Sequence, residues 1–520
     1  MTAAILRARF AGACALFLML VSVAAAWAQT PVTTWHYDNS RDGANTDETI
    51  LTPATVSQTT FGELFTQPVD GAIVGQALYL PHIKIPGAGV HNVVYVATMN
   101  DSVYAFDADS ATGENAAPLW HTSFLINGAT PVPIKLQGCG GSTEWNQVGI
   151  VSTPVIDPVA KRLYVVAKTY ENSEFVYRLH ALAVATGQEE ADSPVGITAS
   201  YEVNGQTYVF APKMEVNRAA LMLANGYLYI AFGSNGCRGD FEEGWVMSYK
   251  ASTLQPMGAF DDEPGESAAA VWMSGGGLSA DSSGNIYGAT ADGPFVNGEP
   301  GVPPNLGQSV FKLSQVGSAL QLADWFTPFN ELYLDHNDMD LFAPVLVLPT
   351  QTGNLNLLAA VGKEGTIYIL NQESLGHVCP PPQCTVTDTQ IVQELIAVAP
   401  FTGALVYWND AIYTTATGKP IKKWLLTNGV PPLATTWSAL SGIVDSGHSP
   451  VISANGTNAD TGILWQLTGS SISAFNAITL KRIYLSGKLS STLPHFANLV
   501  VANGKVYVGT NTSLVVYGLL

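Results

Sequence analysis

Val94-Tyr95-Val96-Ala97-Thr98, then Met99-Asn100-Asp101, then Ser102-Val103-Tyr104-Ala105-Phe106-Asp107: two apolar runs flank a tight turn with Asn and Asp at its centre. Each run is rich in β-branched and aromatic residues, and the break carries Asn and Asp, so the pair reads as a β-hairpin. The same phrase returns at Leu163-Tyr164-Val165-Val166, Leu228-Tyr229-Ile230-Ala231, Ile286-Tyr287-Gly288-Ala289 and Leu358-Ala359-Ala360-Val361. It returns again at Ile412-Tyr413-Thr414-Thr415, Ile463-Leu464-Trp465-Gln466 and Val506-Tyr507-Val508-Gly509. A spacing of roughly 40 to 70 residues is the period of propeller blades. One hairpin cannot bury both faces, so the units are expected to pack radially as a closed all-β ring.

Blades are expected near residues 72–125, 148–210, 217–261, 270–327, 341–397, 402–439, 446–487 and 495–520. That is an eight-bladed β-propeller with four-stranded blades, or a seven-bladed one if the copy at 402–439 is degenerate. The last copy holds only three strand-like runs: Asn498 to Val501, Lys505 to Gly509, and Leu514 to Tyr517. The strand around Phe65 is expected to supply the missing outer strand next to Tyr517, which removes two exposed sheet edges. Residues 29–60 read as an irregular polar strap. Long inter-strand loops are expected at 82–91, 297–308 and 376–389.

Ahead of this domain, residues 1–28 have the form of a signal peptide. Arg7 and Arg9 precede an uncharged apolar run, and Ala26-Trp27-Ala28 offers small residues for cleavage. The run is short for a membrane span, so the protein is expected to be secreted or periplasmic, with a single domain over 29–520. The net charge is −19, from 22 basic and 41 acidic residues. This speaks against nucleic acid and anionic membranes as partners. Cys139, Cys237, Cys379 and Cys384 remain after cleavage. In an oxidising compartment they suggest two disulfides, Cys379–Cys384 and Cys139–Cys237. No CxxCH occurs, so no covalently attached haem is expected.

Several segments resemble the eight-bladed propeller of the pyrroloquinoline quinone (PQQ) dehydrogenases. The strap Trp35 to Leu51, with Phe61-Gly62-Glu63-Leu64, resembles their opening. Phe106-Asp107-Ala108-Asp109, Thr112-Gly113 and Trp120 resemble their blade motif, in which Trp docks one blade on the next. The resemblance implies that Trp272 forms the floor under the quinone and that Asp292 is a calcium ligand where the family usually has Asn. It implies that Asp338 is the catalytic base, with Asp335 and Asp340 as rivals. It also implies that Lys363 touches the reactive carbonyl and stabilises the reduced oxygen. Asp292, Asp338 and Asp340 together form the candidate metal set. In the third blade, Gly233 to Val246 resembles the segment that donates a Glu ligand, and Asp240, Glu242 and Glu243 are all near it. Arg218 is a candidate to clasp the carboxylates of the cofactor. The family's paired adjacent cysteines are absent.

The resemblance implies an oxidoreductase that uses PQQ and calcium. Its substrate would be a small alcohol or sugar, and its electrons would pass to an external acceptor. The plainer reading of each residue stands beside it. Trp272 can be core, Asp292 a turn cap and Lys363 a solvated turn residue, and the acidic loop a calcium site with no catalysis. On those readings the chain is a non-catalytic propeller that binds a protein or glycan ligand. His448 and His495 each precede the first strand of a late blade, a position facing the channel.

Overall fold

The computed structural model describes residues 29–137, 145–234, 243–265, 270–298, 303–351, 353–396, 403–416, 418–427, 433–444 and 448–520. Eight small antiparallel sheets stand in a ring, the arrangement of an eight-bladed β-propeller. Blade one is Leu78–Ile85, Gly89–Thr98, Ser102–Asp107 and Trp120–Ser123, in that order from the inside outward. The segment at 406–444 forms a complete four-stranded blade, so the count is eight and not seven. Among the described residues the only α-helix is the short Glu331–His336, and no helix is long and apolar enough to cross a membrane.

Closure follows the sequence expectation. Phe61–Pro68 pairs antiparallel with Ser513–Leu519, with Glu63 opposite Tyr517 and Phe65 opposite Val516. It completes the blade begun by Leu499–Ala502 and Lys505–Gly509. Residues 82–91 are a correction. They are not a loop but the extended end of the first hairpin, turning at 86–88, because Ile85 packs inward and Ile83 pairs with His91. Phe295–Val296 pairs with Asn305–Leu306 across the second expected loop. In the third, Cys379 and Cys384 are bridged, with Cα atoms 5.6 Å apart. The Cys139–Cys237 pairing and the residue 1–28 leader lie outside the described residues.

The tyrosine of the repeat links neighbouring blades. Tyr95, Tyr164, Tyr413 and Tyr507 donate their hydroxyls to the carbonyls of Val184, Ala251, Ala477 and Ala108. Each acceptor directly follows the third strand of the next blade. The hydroxyl thus satisfies a backbone acceptor that would otherwise be buried between sheets. Trp120 does the same at the first interface, donating to Val184 O at 2.9 Å, with Gly187 closely packed on its ring.

The strap visits every blade in turn. Val32 bridges Tyr79 of blade one, and Thr33 O accepts from Ile156 of blade two. Asn39 bonds Leu223 O and Ala280 N of blades three and four. Ser40, Asp42 and Gly43 offer carbonyls to Val347, Tyr407 and Ile452 of blades five, six and seven. Asn45 and Glu48 reach Val501 O and Gly504 N in blade eight. Its Trp35 is fully buried against Ala220 and Ala404 and donates to Asn498 Oδ1, so residues from blades three, six and eight surround one ring near the axis. Buried Arg41 ties the strap together through Leu278 O, Thr34 Oγ1, Trp35 O and Asp38 O.

Candidate functional site

Strand alternation decides where the candidate residues emerge. In each blade the turn from second to third strand and the link from fourth strand to the next blade's first lie on the same rim. Asp292 follows the second strand of blade four, Ile286–Ala289, and Lys363 follows that of blade five, Leu357–Val361. Asp338 and Asp340 lie on the link between these blades. Trp272 lies on the link from blade three to blade four. Ala270, on the link between blades three and four, bridges both Gly233 and Ala291, at the ends of the second strands of those two blades.

Asp292, Asp338 and Asp340 converge, each offering a carboxylate oxygen within 4.8 Å of the others. Asp340 is fully buried, while the Asp338 side chain is 72% exposed. Lys363 Nζ lies 2.5 Å from Asp338 Oδ1 and also pairs with Asp340 Oδ2. Gln308 Nε2 donates to Asp340 Oδ1 at 2.7 Å, and Gln308 Oε1 accepts from Leu341 N at 3.1 Å. Burial opposes the Asp340 charge, but the Lys363 charge and the hydrogen bonds from Lys363 and Gln308 outweigh it and hold the carboxyl below its ordinary range. Burial likewise opposes the charge on Lys363, and Asp340 and Asp338 together hold it above the ordinary lysine value. Asp335 lies on the helix Glu331–His336, outside the trio.

A second group of acids behaves in the opposite sense. Asp261, Asp262 and Glu263 end blade three and are all buried. Desolvation pushes the Asp261 carboxyl up to about 9 and raises Asp262 and Glu243 as well. Glu243 Oε1 is taken up in accepting Gly265 N at 3.1 Å. Asp240 and Glu242 lie outside the described residues. Glu263 is the residue the sequence reading passed over. Its carboxylate packs against the backbone of Gly293 and Gly307, beside Asp292. The run of three acids between Phe260 and Pro264 was its only signal. Gln308 had none, because an amide on a Pro- and Gly-rich loop looks like any solvated residue.

Trp272 is half-buried, and the Arg218 guanidinium stands over its ring, 4.9 Å from the centroid. The same guanidinium is 3.9 Å from the Phe496 ring and 5.2 Å from that of Trp145. A flat cation thus already lies against the expected floor. His495 stands beside it, lowered to about 4 by burial first and by Arg218 second. His448 is buried with Nδ1 2.9 Å from Ala497 O. It has a structural partner and lies outside the carboxylate trio.

No protein-family model and no curated protein matches the sequence. Solved structures do. A quinohemoprotein alcohol dehydrogenase from Pseudomonas putida superimposes with a TM-score of 0.60 at 11% identity, over 94% of this chain and 80% of that one. A europium-containing methanol dehydrogenase superimposes with a TM-score of 0.58 at 11% identity, over 94% of this chain and 98% of that one. At this identity the likeness is one of fold: the chain is an eight-bladed propeller that superimposes on these two dehydrogenases.

Proposed function

We propose that the protein is an exported, PQQ- and metal-dependent oxidoreductase of small alcohols or sugars. One observation carries the reading: Asp292, Asp338 and Asp340, from two neighbouring blades, meet on one rim with Lys363 between two of them. Three carboxylates at one point are a hard oxygen donor set, suited to Ca²⁺. A trivalent lanthanide would also suit it, and the named methanol dehydrogenase contains europium. Trp272 would support the quinone ring, and Arg218 would grip a carboxylate of the same cofactor. Such a quinone would supply two-electron oxidation, and a metal held by Asp292, Asp338 and Asp340 would supply Lewis acidity beside it.

The chain's own residues divide the remaining work by exposure. Asp338 is open to solvent and takes the hydroxyl proton of a substrate as general base. Asp340, sealed from solvent, holds charge and geometry but cannot meet a substrate. Lys363 is placed to stabilise negative charge on an oxygen beside Asp338. Turnover would require an external electron acceptor.

The test is absorbance and calorimetric titration of the purified chain with PQQ in the presence of Ca²⁺ or La³⁺, followed by a dye-linked alcohol assay. Saturable binding and turnover are expected. Asp338→Asn should cut turnover by at least about a hundredfold, the usual size of a general-base contribution, and weaken metal binding because it removes one carboxylate of the trio, while leaving the unfolding midpoint unchanged. Absence of PQQ binding with either ion would refute the enzyme reading. A second reading, a non-catalytic propeller for a protein or glycan ligand, is favoured by Arg218. Its guanidinium over Trp272 and Phe496 can serve as packing alone.

A further inference from the structure

The ammonium of Lys363 stands where a metal ion would have to compete with it. It contacts Asp338 Oδ1 at 2.5 Å and Asp340 Oδ2, two of the three carboxylates whose oxygens fall within 4.8 Å of one another. The position is built rather than incidental. Lys363 N donates to Asp340 O at 2.9 Å, which fixes the start of the side chain beside its partner. The ammonium also lies 5.2 Å from the Phe342 ring centroid. The side chain is still 25% exposed, so a path to solvent remains. A metal that takes the trio must either push the ammonium off these oxygens or bind next to a positive charge.

We infer that Lys363 is a built-in competing cation that sets both the affinity and the charge selectivity of the carboxylate trio. The inference rests on the reading of that trio as a metal site. Repulsion between the ammonium and a bound ion grows with the charge of the ion. Lys363 therefore disfavours a trivalent ion more than a divalent one of the same size. The trio alone would favour the trivalent ion, and the lysine pulls that preference back towards Ca²⁺. Lys363 is in this respect a selectivity residue, distinct from any contact it makes with substrate or cofactor.

The experiment is isothermal titration calorimetry of the full chain with Ca²⁺ and, separately, La³⁺, in buffer without phosphate and without added quinone. Wild type is compared with Lys363→Met, Lys363→Gln and Lys363→Arg, after cooperative unfolding of each has been verified. The Gln variant keeps a polar head, so the test survives if Met disturbs the loop. Both neutral variants should tighten Ca²⁺ binding by at least about tenfold and La³⁺ by at least about thirtyfold, because the logarithms of the two gains stand as the ionic charges, 2 to 3. Lys363→Arg should stay within about threefold of wild type, since it keeps the charge. Wild type that binds while the neutral variants gain nothing would overturn the inference and leave the metal reading standing. An equal gain for both ions would overturn it too, because relief of strain does not sense ionic charge. If neither wild type nor any variant binds either ion, the metal reading fails and takes the inference with it.

Discussion

Asp292, Gln308 and Asp338 hold φ angles of 55°, 51° and 56°, in the left-handed region that side chains other than glycine mostly avoid. Each such residue costs on the order of 1 kcal/mol or more, and persists because the surroundings over-determine it. Such residues recur at turns throughout the described chain, and at this rim they mark the tight turns that carry the carboxylates. Away from the rim, single residues follow simple electrostatics. His91 Nδ1 lies 2.6 Å from Asp107 Oδ2, and this hydrogen bond is the main reason the imidazole pKa is raised. A raised folded pKa gives stability that is full below the unfolded value of about 6.5 and fades as pH climbs through the folded one. Relative to His91→Gln, the wild type should therefore lose up to about 1 kcal/mol between about pH 6 and about pH 9. Denaturation midpoints across that range, at fixed ionic strength, would expose the difference. Parallel curves for the two proteins would show that the pair contributes nothing.

The elements are joined by a few repeated contacts. The Tyr latch recurs at four blade interfaces with the same acceptor position, which is what a repeat should produce. In blade four it is rewired, with Tyr287 donating to Asp281 Oδ2, and in blade five Ala359 stands at the tyrosine position. Tyr164→Phe would strip Ala251 O of this donor and should cost about 1 to 3 kcal/mol. Arg41→Met should cost more, because it strips donors from several strap oxygens inside the channel at once. Chemical denaturation of both variants tests the order. An Arg41→Met protein as stable as Tyr164→Phe would mean that the strap is passenger rather than hub.

At the scale of the whole molecule, ring closure and hub come from one N-terminal stretch. Deleting residues 29–68 would remove the strap and leave Ser513–Leu519 as an open edge. Open, hydrophobic edges pair with other chains, so the truncated protein should aggregate while the intact chain stays dispersed; light scattering at matched concentration decides. A truncated chain that remains dispersed would show that the ring closes without its outer strand. The sequence by itself determined the architecture, because a hairpin phrase written around Tyr95 and repeated down the chain is a local signal. The missing fourth strand after Leu514 was legible for the same reason, and so was the short Cys379–Cys384 loop. It also named Asp292, Asp338, Asp340, Lys363 and Trp272, but only by resemblance. Only the tertiary structure decided which of these meet, that Asp340 is sealed while Asp338 is open, and that Lys363 lies between them. It alone supplied Gln308 and Glu263, set Arg218 over Trp272, and drew the strap through all eight blades. The reason is physical. Strand pattern and turn chemistry act within a few residues, whereas these contacts span turns and links from different blades, and no local pattern encodes a distance between residues so far apart in the chain.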